Sequence, residues 1–281
     1  MVKKIFLFLL FSVFFISSVF AQKNMQEGSI ITNDGEVVNG YINYQKWRVN
    51  PEKIEFGKTA EGKTEIYGIE DLQGFHIAGS DFYERHIVMK DELPVRTSNL
   101  GYDSNPIWRK DTVFLQKLVE GKASLYYLMD REMKEHLFLK LDTGNIYELE
   151  YRRYLVKGRG AKDVYESSDL AKEMKLYVGQ LKYAFKDCDN LYPLIEKARY
   201  TKKDIVKIVD EYNSCNSQAG SDYIREVDKV KLFFGITGGI SNTYLKFTTK
   251  AENYQYTSYI MIDHENVDFK SSFDPTIGIS L

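Results

Sequence analysis

Gly57-Lys58-Thr59-Ala60-Glu61-Gly62-Lys63-Thr64 matches the phosphate-cradling P-loop pattern letter for letter. A working P-loop follows a strand and opens a helix, because its backbone N–H groups and the helix N-terminus hold the phosphates together. Ile54-Glu55-Phe56 can supply the strand, but Glu65-Ile66-Tyr67-Gly68-Ile69 alternates in polarity and contains glycine. That pattern suits a second strand, so the segment reads as a Gly/Lys hairpin and no nucleotide is expected. Leu141-Asp142-Thr143-Gly144 echoes an aspartic-protease turn. That chemistry needs two carboxylates sharing a proton. The sequence has no second copy, and the same residues make an ordinary hairpin turn. His76, His86, His136 and His264 lack metal-ligand spacing, and no Ser/His/Asp set or dinucleotide fingerprint stands out. The sequence therefore predicts no catalytic residue, metal or cofactor.

The two cysteines, Cys188 and Cys215, are 27 positions apart, and their reading depends on the compartment. Met1 to Ala21 has the three parts of a secretory signal: Lys3 and Lys4, an apolar run from Ile5 to Ile16, and Val19-Phe20-Ala21 ahead of the cut. The apolar run is shorter than the ~20 residues that span a bilayer, so a cleaved signal is expected rather than an anchor. Cleavage after Ala21 leaves Gln22 first, and no Cys follows to take a lipid. In an oxidising compartment a Cys188–Cys215 disulfide is the economical reading, with two unpaired thiols as the rival. Arg152, Arg153, Lys157, Arg159 and Lys162 cluster around Gly158 and Gly160. They read as a solvated linker, or as a contact for anionic lipid or lipopolysaccharide.

The elements that must carry these residues fall into three regions after the signal. Across 22–155, strand-like runs flank turn signals: Asn33-Asp34-Gly35, Glu120-Gly121-Lys122 and Asp142-Thr143-Gly144-Asn145. A meander of eight or more short strands is expected, in a sandwich or an open barrel, with a long irregular connection over 91–111. Across 156–228 the period changes. Ser167 or Ser168 is expected to cap a helix through Leu170, Met174, Val178, Leu181 and Phe185. A short helix over Asn190 to Ala198 follows, then one opened by Thr201 and Asp204. The cysteines would clasp the ends of this helical unit.

Across 229–281, Leu232, Phe234, Ile236 and Ile240 alternate with Phe233, Gly235, Thr237, Gly239 and Ser241. Such a strand, apolar on one face and mostly small or polar on the other, suits the wall of a membrane barrel. Ile277, Ile279 and Leu281 repeat the alternation. Tyr244, Tyr254, Tyr256 and Tyr259 would then form an interfacial aromatic belt, or else sit half-buried on ordinary strands.

Lys231-Leu232-Phe233-Phe234-Gly235-Ile236-Thr237-Gly238-Gly239-Ile240-Ser241 resembles the opening strand of small outer-membrane β-barrel, porin-like families. Phe114 to Gly121, leading to Leu125-Tyr126-Tyr127, and the paired-cysteine unit resemble parts found ahead of such barrels. A membrane barrel needs at least eight strands and this region has room for two or three, so a product cut within the barrel is expected. The resemblance implies a Gram-negative outer-membrane or periplasmic protein, non-enzymatic, meeting outer-membrane lipid and with possible solute passage or binding.

The composition limits the alternatives. The chain of 281 residues balances 38 basic against 40 acidic groups, which argues against a nucleic-acid partner. Its 43% hydrophobic content supports packed cores, with 5 Pro and 19 Gly arguing against a low-complexity chain. The expected class is mainly β with a small α-helical unit. The second reading is a soluble periplasmic or surface binding module, in which 229–281 adds strands to a β-domain.

Overall fold

Asn33-Asp34-Gly35 turns β1 (Met25–Thr32) back along β2 (Val37–Asn43), with Gly35 at φ +86°, where a side chain would be strained. The computed structural model describes residues 23–142, 144–157, 169–216, 221, 223–225, 235–244, 246–248, 266–268 and 272–280. They divide into two compact units with the boundary at Val227/Asp228. The expected signal, with Ala21 and Gln22 at its cut, lies outside the described residues.

In the first unit a second hairpin, β3 (Lys53–Gly57) and β4 (Thr64–Gly68), follows β2. The chain then runs as a meander through β5 (Leu72–Ile77), β6 (Phe82–Asp91), β7 (Trp108–Glu120), β8 (Ala123–Met129), β9 (Glu135–Leu141) and β10 (Tyr147–Glu148). The irregular connection is shorter than expected, 92–107, because β6 and β7 extend into both of its ends. The strand order is β10-β9-β8-β7-β6-β5-β1-β2-β3-β4. Thus β5 pairs with β1, three strands away from β4, although only residues 69–71 join β4 to β5. Four strand spacings in a flat sheet would be ~19 Å, whereas that link reaches ~14 Å at most. The sheet must therefore roll. Side chains hold the roll where no ladder does: Asn33 donates to Glu70 O and Gln73 to Asn33 O. Ile30, Ile42, Phe56, Phe75 and Phe114 fill its interior, with Trp47 edge-on to Tyr44, Phe75 and Tyr83.

The next part of the chain corrects one expectation. β11 (Arg152–Lys157) runs on past residue 155 and pairs with β12 (Asp169–Met174), so 169–174 is a strand, not the first turns of a helix. Leu170, 54% exposed, has no core to face as a helical residue would, and the ladder to β11 takes up the backbone groups instead. Ser167 and Ser168 lie outside the described residues.

Helix α1 begins only at Leu176 (Leu176–Ala184) and is followed by α2 (Tyr192–Lys197) and α3 (Lys202–Asn216). α3 opens as expected, with Asp204 N–H donating to Thr201 Oγ1 and the Asp204 carboxylate accepting from Arg199 N–H. Cys215 sits within the last turn of α3. It forms a disulfide with Cys188, with Cα atoms 6.5 Å apart. The helices pack on β7–β9: Tyr177, Leu181, Phe185, Ile205 and Val209 share one core with Leu125, Leu137 and Leu139. Asn213, fully buried, exchanges hydrogen bonds with both backbone groups of Ala123. Finally β13 (Tyr223–Ile224) adds to β7 beside Val119 and Glu120, and Arg225 reaches Asp81 at 2.6 Å.

In the second unit β14 (Gly235–Thr243) pairs antiparallel with β17 (Ser272–Ser280), and β15 (Lys246–Thr248) with β16 (Asn266–Asp268). The ladder puts Gly238 opposite Ile277, Ile240 opposite Pro275 and Asn242 opposite Phe273. These residues share a face, because directly opposed residues point the same way. The other face carries Thr237, Gly239, Ser241 and Thr243. Neither ladder closes into a barrel among the described residues.

Candidate functional site

β7 and β8 start as neighbours and then part, and the parting opens a cleft in the first unit. Between them the ladder holds Gln116 to Tyr127, Lys117 to Tyr126 and, after a bulge, Val119 to Leu125. Beyond Gln116 the strands diverge, and the Val49-Asn50-Pro51 segment enters the fork. Asn50 Nδ2 donates to Phe114 O (2.9 Å) and Tyr127 O (3.0 Å), and its Oδ1 accepts from Met129 N–H at 2.9 Å. Its own N–H donates to Met129 O. One side chain thus braces both prongs, and it occupies the β8 side of the gap.

The remaining space is a cleft of about 690 Å³, within the range of small-ligand sites. Five basic side chains and five acidic ones line it, so it carries no net charge. Most are mutually paired: Lys90 with Asp111 at 3.0 Å, Arg109 with Glu92 at 3.0 Å, and Arg131 with Glu52. Lys134 points inward and donates to the carbonyls of Asp91 and Leu93 (3.0 Å to the latter). Burial draws its ammonium below the usual lysine range, against the pull of Asp91, Glu148 and Asp130.

A buried ionic network backs the cleft. The Asp91 carboxylate accepts from Leu93 N–H, Ile107 N–H and Arg152 Nε, the last at 2.7 Å. Burial pushes this carboxyl up, but those bonds and the Lys134 charge outweigh it and hold the group below the usual range. His136, with no exposed surface, lies 2.7 Å from Glu148 Oε1 through Nδ1 and 3.1 Å from Asp130 Oδ2 through Nε2. Burial lowers its affinity for the proton, yet bonds to the two carboxylates win and raise it above the ordinary value. Glu148 Oε2 accepts from Asp91 N–H, so the network also joins β10 to β6 where no ladder does. Saturated ion pairs of this kind fix backbone.

The motifs singled out in the sequence lie elsewhere. Gly57 to Thr64 is the end of β3, a turn and the start of β4, so no helix follows it and no N-terminus faces the loop. Asp142 begins the turn after β9 and donates its N–H to Lys122 O, while Thr143 lies outside the described residues. Arg152 is removed from the expected basic surface cluster. It is 4% exposed, held by Asp91 and Glu150 and set over the Trp108 ring. Arg153 donates to Val95 O; Arg159 and Lys162 lie outside the described residues. Among the described residues no three His, Cys, Asp or Glu side chains form a metal-binding group.

Of the candidate lipid-facing residues, Leu232 and Phe234 lie outside the described residues, and Ile236 pairs with Ile279 in the ladder. Ile240 is 72% exposed, and Phe273 and Ile277 are exposed on the same face of β17. Tyr244 is exposed; Tyr254, Tyr256 and Tyr259 lie outside the described residues. Sequence reasoning missed the fork and the His136 network. The one local signal for the fork is Asn50-Pro51, a loop dipeptide just ahead of a strand.

Comparison with known proteins adds no assignment: no family model, curated protein or solved structure matches this chain.

Proposed function

We propose that this chain is an exported, non-enzymatic protein of the cell envelope, similar to outer-membrane β-barrel, porin-like proteins. In this reading its C-terminal hairpin lies against outer-membrane lipid and its N-terminal unit works in the periplasm as a binding module. The observation that supports it is the β14–β17 ladder, which gathers Ile240, Pro275, Phe273 and Ile277, with Asn242 among them, on one exposed face and, apart from Asp274, small or hydroxyl residues on the other. An apolar strand face with no protein core against it among the described residues needs a solvent to match it, and a bilayer supplies one.

The test is fractionation of cells expressing the chain, followed by a carbonate wash. Lipid association predicts retention in the outer-membrane pellet, and release of the double variant Ile240→Lys, Ile277→Lys. Release of the unaltered chain would refute it. The second reading, a soluble periplasmic or surface module, would then stand on the 690 Å³ cleft of the N-terminal unit.

A further inference from the structure

The fork leaves one strand edge open, and the ladder phase shows which backbone groups it presents. Glu92 N–H donates to Ile107 O, so the bonded pairs between β6 and β7 are Lys90 with Arg109, Val88 with Asp111 and His86 with Val113. The N–H and C=O groups of Lys110, Thr112 and Phe114 therefore point away from β6. Two neighbours agree with this phase. Phe114 O accepts from Asn50 Nδ2, and Gln116 pairs with Tyr127 of β8. After the bulge the phase inverts, as Arg225 N–H donating to Leu118 O on the β6 side requires. At Lys110 and Thr112 there is no strand on the outer side among the described residues, because β8 has already diverged. An open edge is a template for another strand, and most folds cover or blunt theirs. This one borders a cleft.

We propose that the cleft binds an extended segment of a partner polypeptide, which adds to β7 as a strand along Lys110–Phe114. Three observations favour a peptide over a simple anion or cation. The open groups alternate as donor and acceptor along about 10 Å, the span of three to four strand residues. The lining charges balance, five against five, so the site does not select one sign. The walls offer both carbon, at Pro94, Val95 and Val49, and paired charges, at Arg109 with Glu92, which suits alternating side chains. Asn50 shows that the edge takes a hydrogen-bond donor at Phe114, where the added strand would begin. The inference concerns the first unit alone and stands whether or not the hairpin meets lipid.

The test is amide hydrogen exchange on the whole chain, free and with a panel of synthetic ten-residue peptides alternating Val or Thr with Lys or Glu. In the free chain the amides of Lys110 and Thr112 exchange rapidly, while those of Asp111 and Val113 are protected. At least one peptide slows Thr112 exchange tenfold or more, and its counterpart N-methylated at alternate residues does not. Thr112→Pro removes an edge donor that β6 does not use. It keeps the fold and weakens that peptide at least tenfold. Equal protection of all four amides in the free chain would overturn the assignment, since the edge would already be paired. So would a panel in which no peptide alters Thr112 at millimolar concentration. Protection that grows with protein concentration alone would make the occupant a second copy of this chain and overturn the partner segment.

Discussion

His136 gives the sharpest test of the buried network, because its contribution must change with pH in a fixed direction. Its ring is fully buried between Glu148 and Asp130, and its proton affinity is raised above the ordinary value of 6.5. A group whose folded value lies above its unfolded one stabilises the fold fully below the unfolded value and loses that effect as pH climbs through the folded one. The charged ring donates to both carboxylates, whereas the neutral ring donates to one and turns a lone pair toward the other. Each charge-assisted bond is worth about 1.5–3 kcal/mol. His136→Gln retains one donor but never the charge, so it should cost about 2–4 kcal/mol at pH 6. As pH rises through the raised folded value the difference from the parent chain should shrink, by at most about the worth of one such bond, 1.5–3 kcal/mol. Urea unfolding of both chains at pH 6, 7.5 and 9 measures this directly. A difference that is constant, or that grows with pH, would refute the reasoning. Below the ordinary Asp value of 3.8 the opposite arm appears. Burial raises the Asp130 carboxyl, but its bonds to His136 and Lys134 N–H hold it below that value, so its contribution is lost as pH falls through the lowered one.

Other outcomes follow from named contacts. Asn50→Ala removes three side-chain hydrogen bonds and leaves Met129 N–H without its acceptor, which should lower urea stability by about 2–4 kcal/mol. Reducing the Cys188–Cys215 disulfide opens a loop of 27 residues and should cost about 3–4 kcal/mol, read as a lower melting temperature with dithiothreitol. Gly40→Ala would drive a Cβ to 2.5 Å from Gly57 O and the Phe56 ring and should destabilise by about 1–3 kcal/mol in thermal melts. Lys63→Ala, on an exposed turn, should shift stability by less than about 0.5 kcal/mol.

Local chemistry made the hairpins legible. Asn33-Asp34-Gly35 and Glu120-Gly121-Lys122 each mark a turn between two alternating runs, and β1–β2 and β7–β8 form around them. Thr201 and Asp204 announced α3 because a capping pair acts within one turn of chain. What failed depended on partners distant in sequence. The 169–174 segment carries Leu170 and Met174 at helical spacing, but β11 offered it a ladder, and pairing outweighed propensity. The fork was invisible because nothing in Asn50 reveals that Phe114, Tyr127 and Met129 will lie around it. Arg152 looked like one more surface charge until Asp91, sixty-one residues earlier, came to meet it.

The position of β1 has a consequence for the order of assembly. The first strand of the sheet lies in its middle, flanked by β2 immediately and by β5 only after the chain has reached Leu72–Ile77. Until then the edge carrying Ile30 and Ile31 stays open, and a hydrophobic edge is a point of misassociation for nascent chains. Closing that ladder requires a loop of some forty residues to be drawn in, which makes it a slow step in a sheet of mostly local hairpins. A holdase that shields Met25–Thr32 until β5 has been made would therefore speed productive folding more than one acting on any later strand, whereas a circularly permuted chain that begins at β5 would place β1 far behind it and slow the closure further.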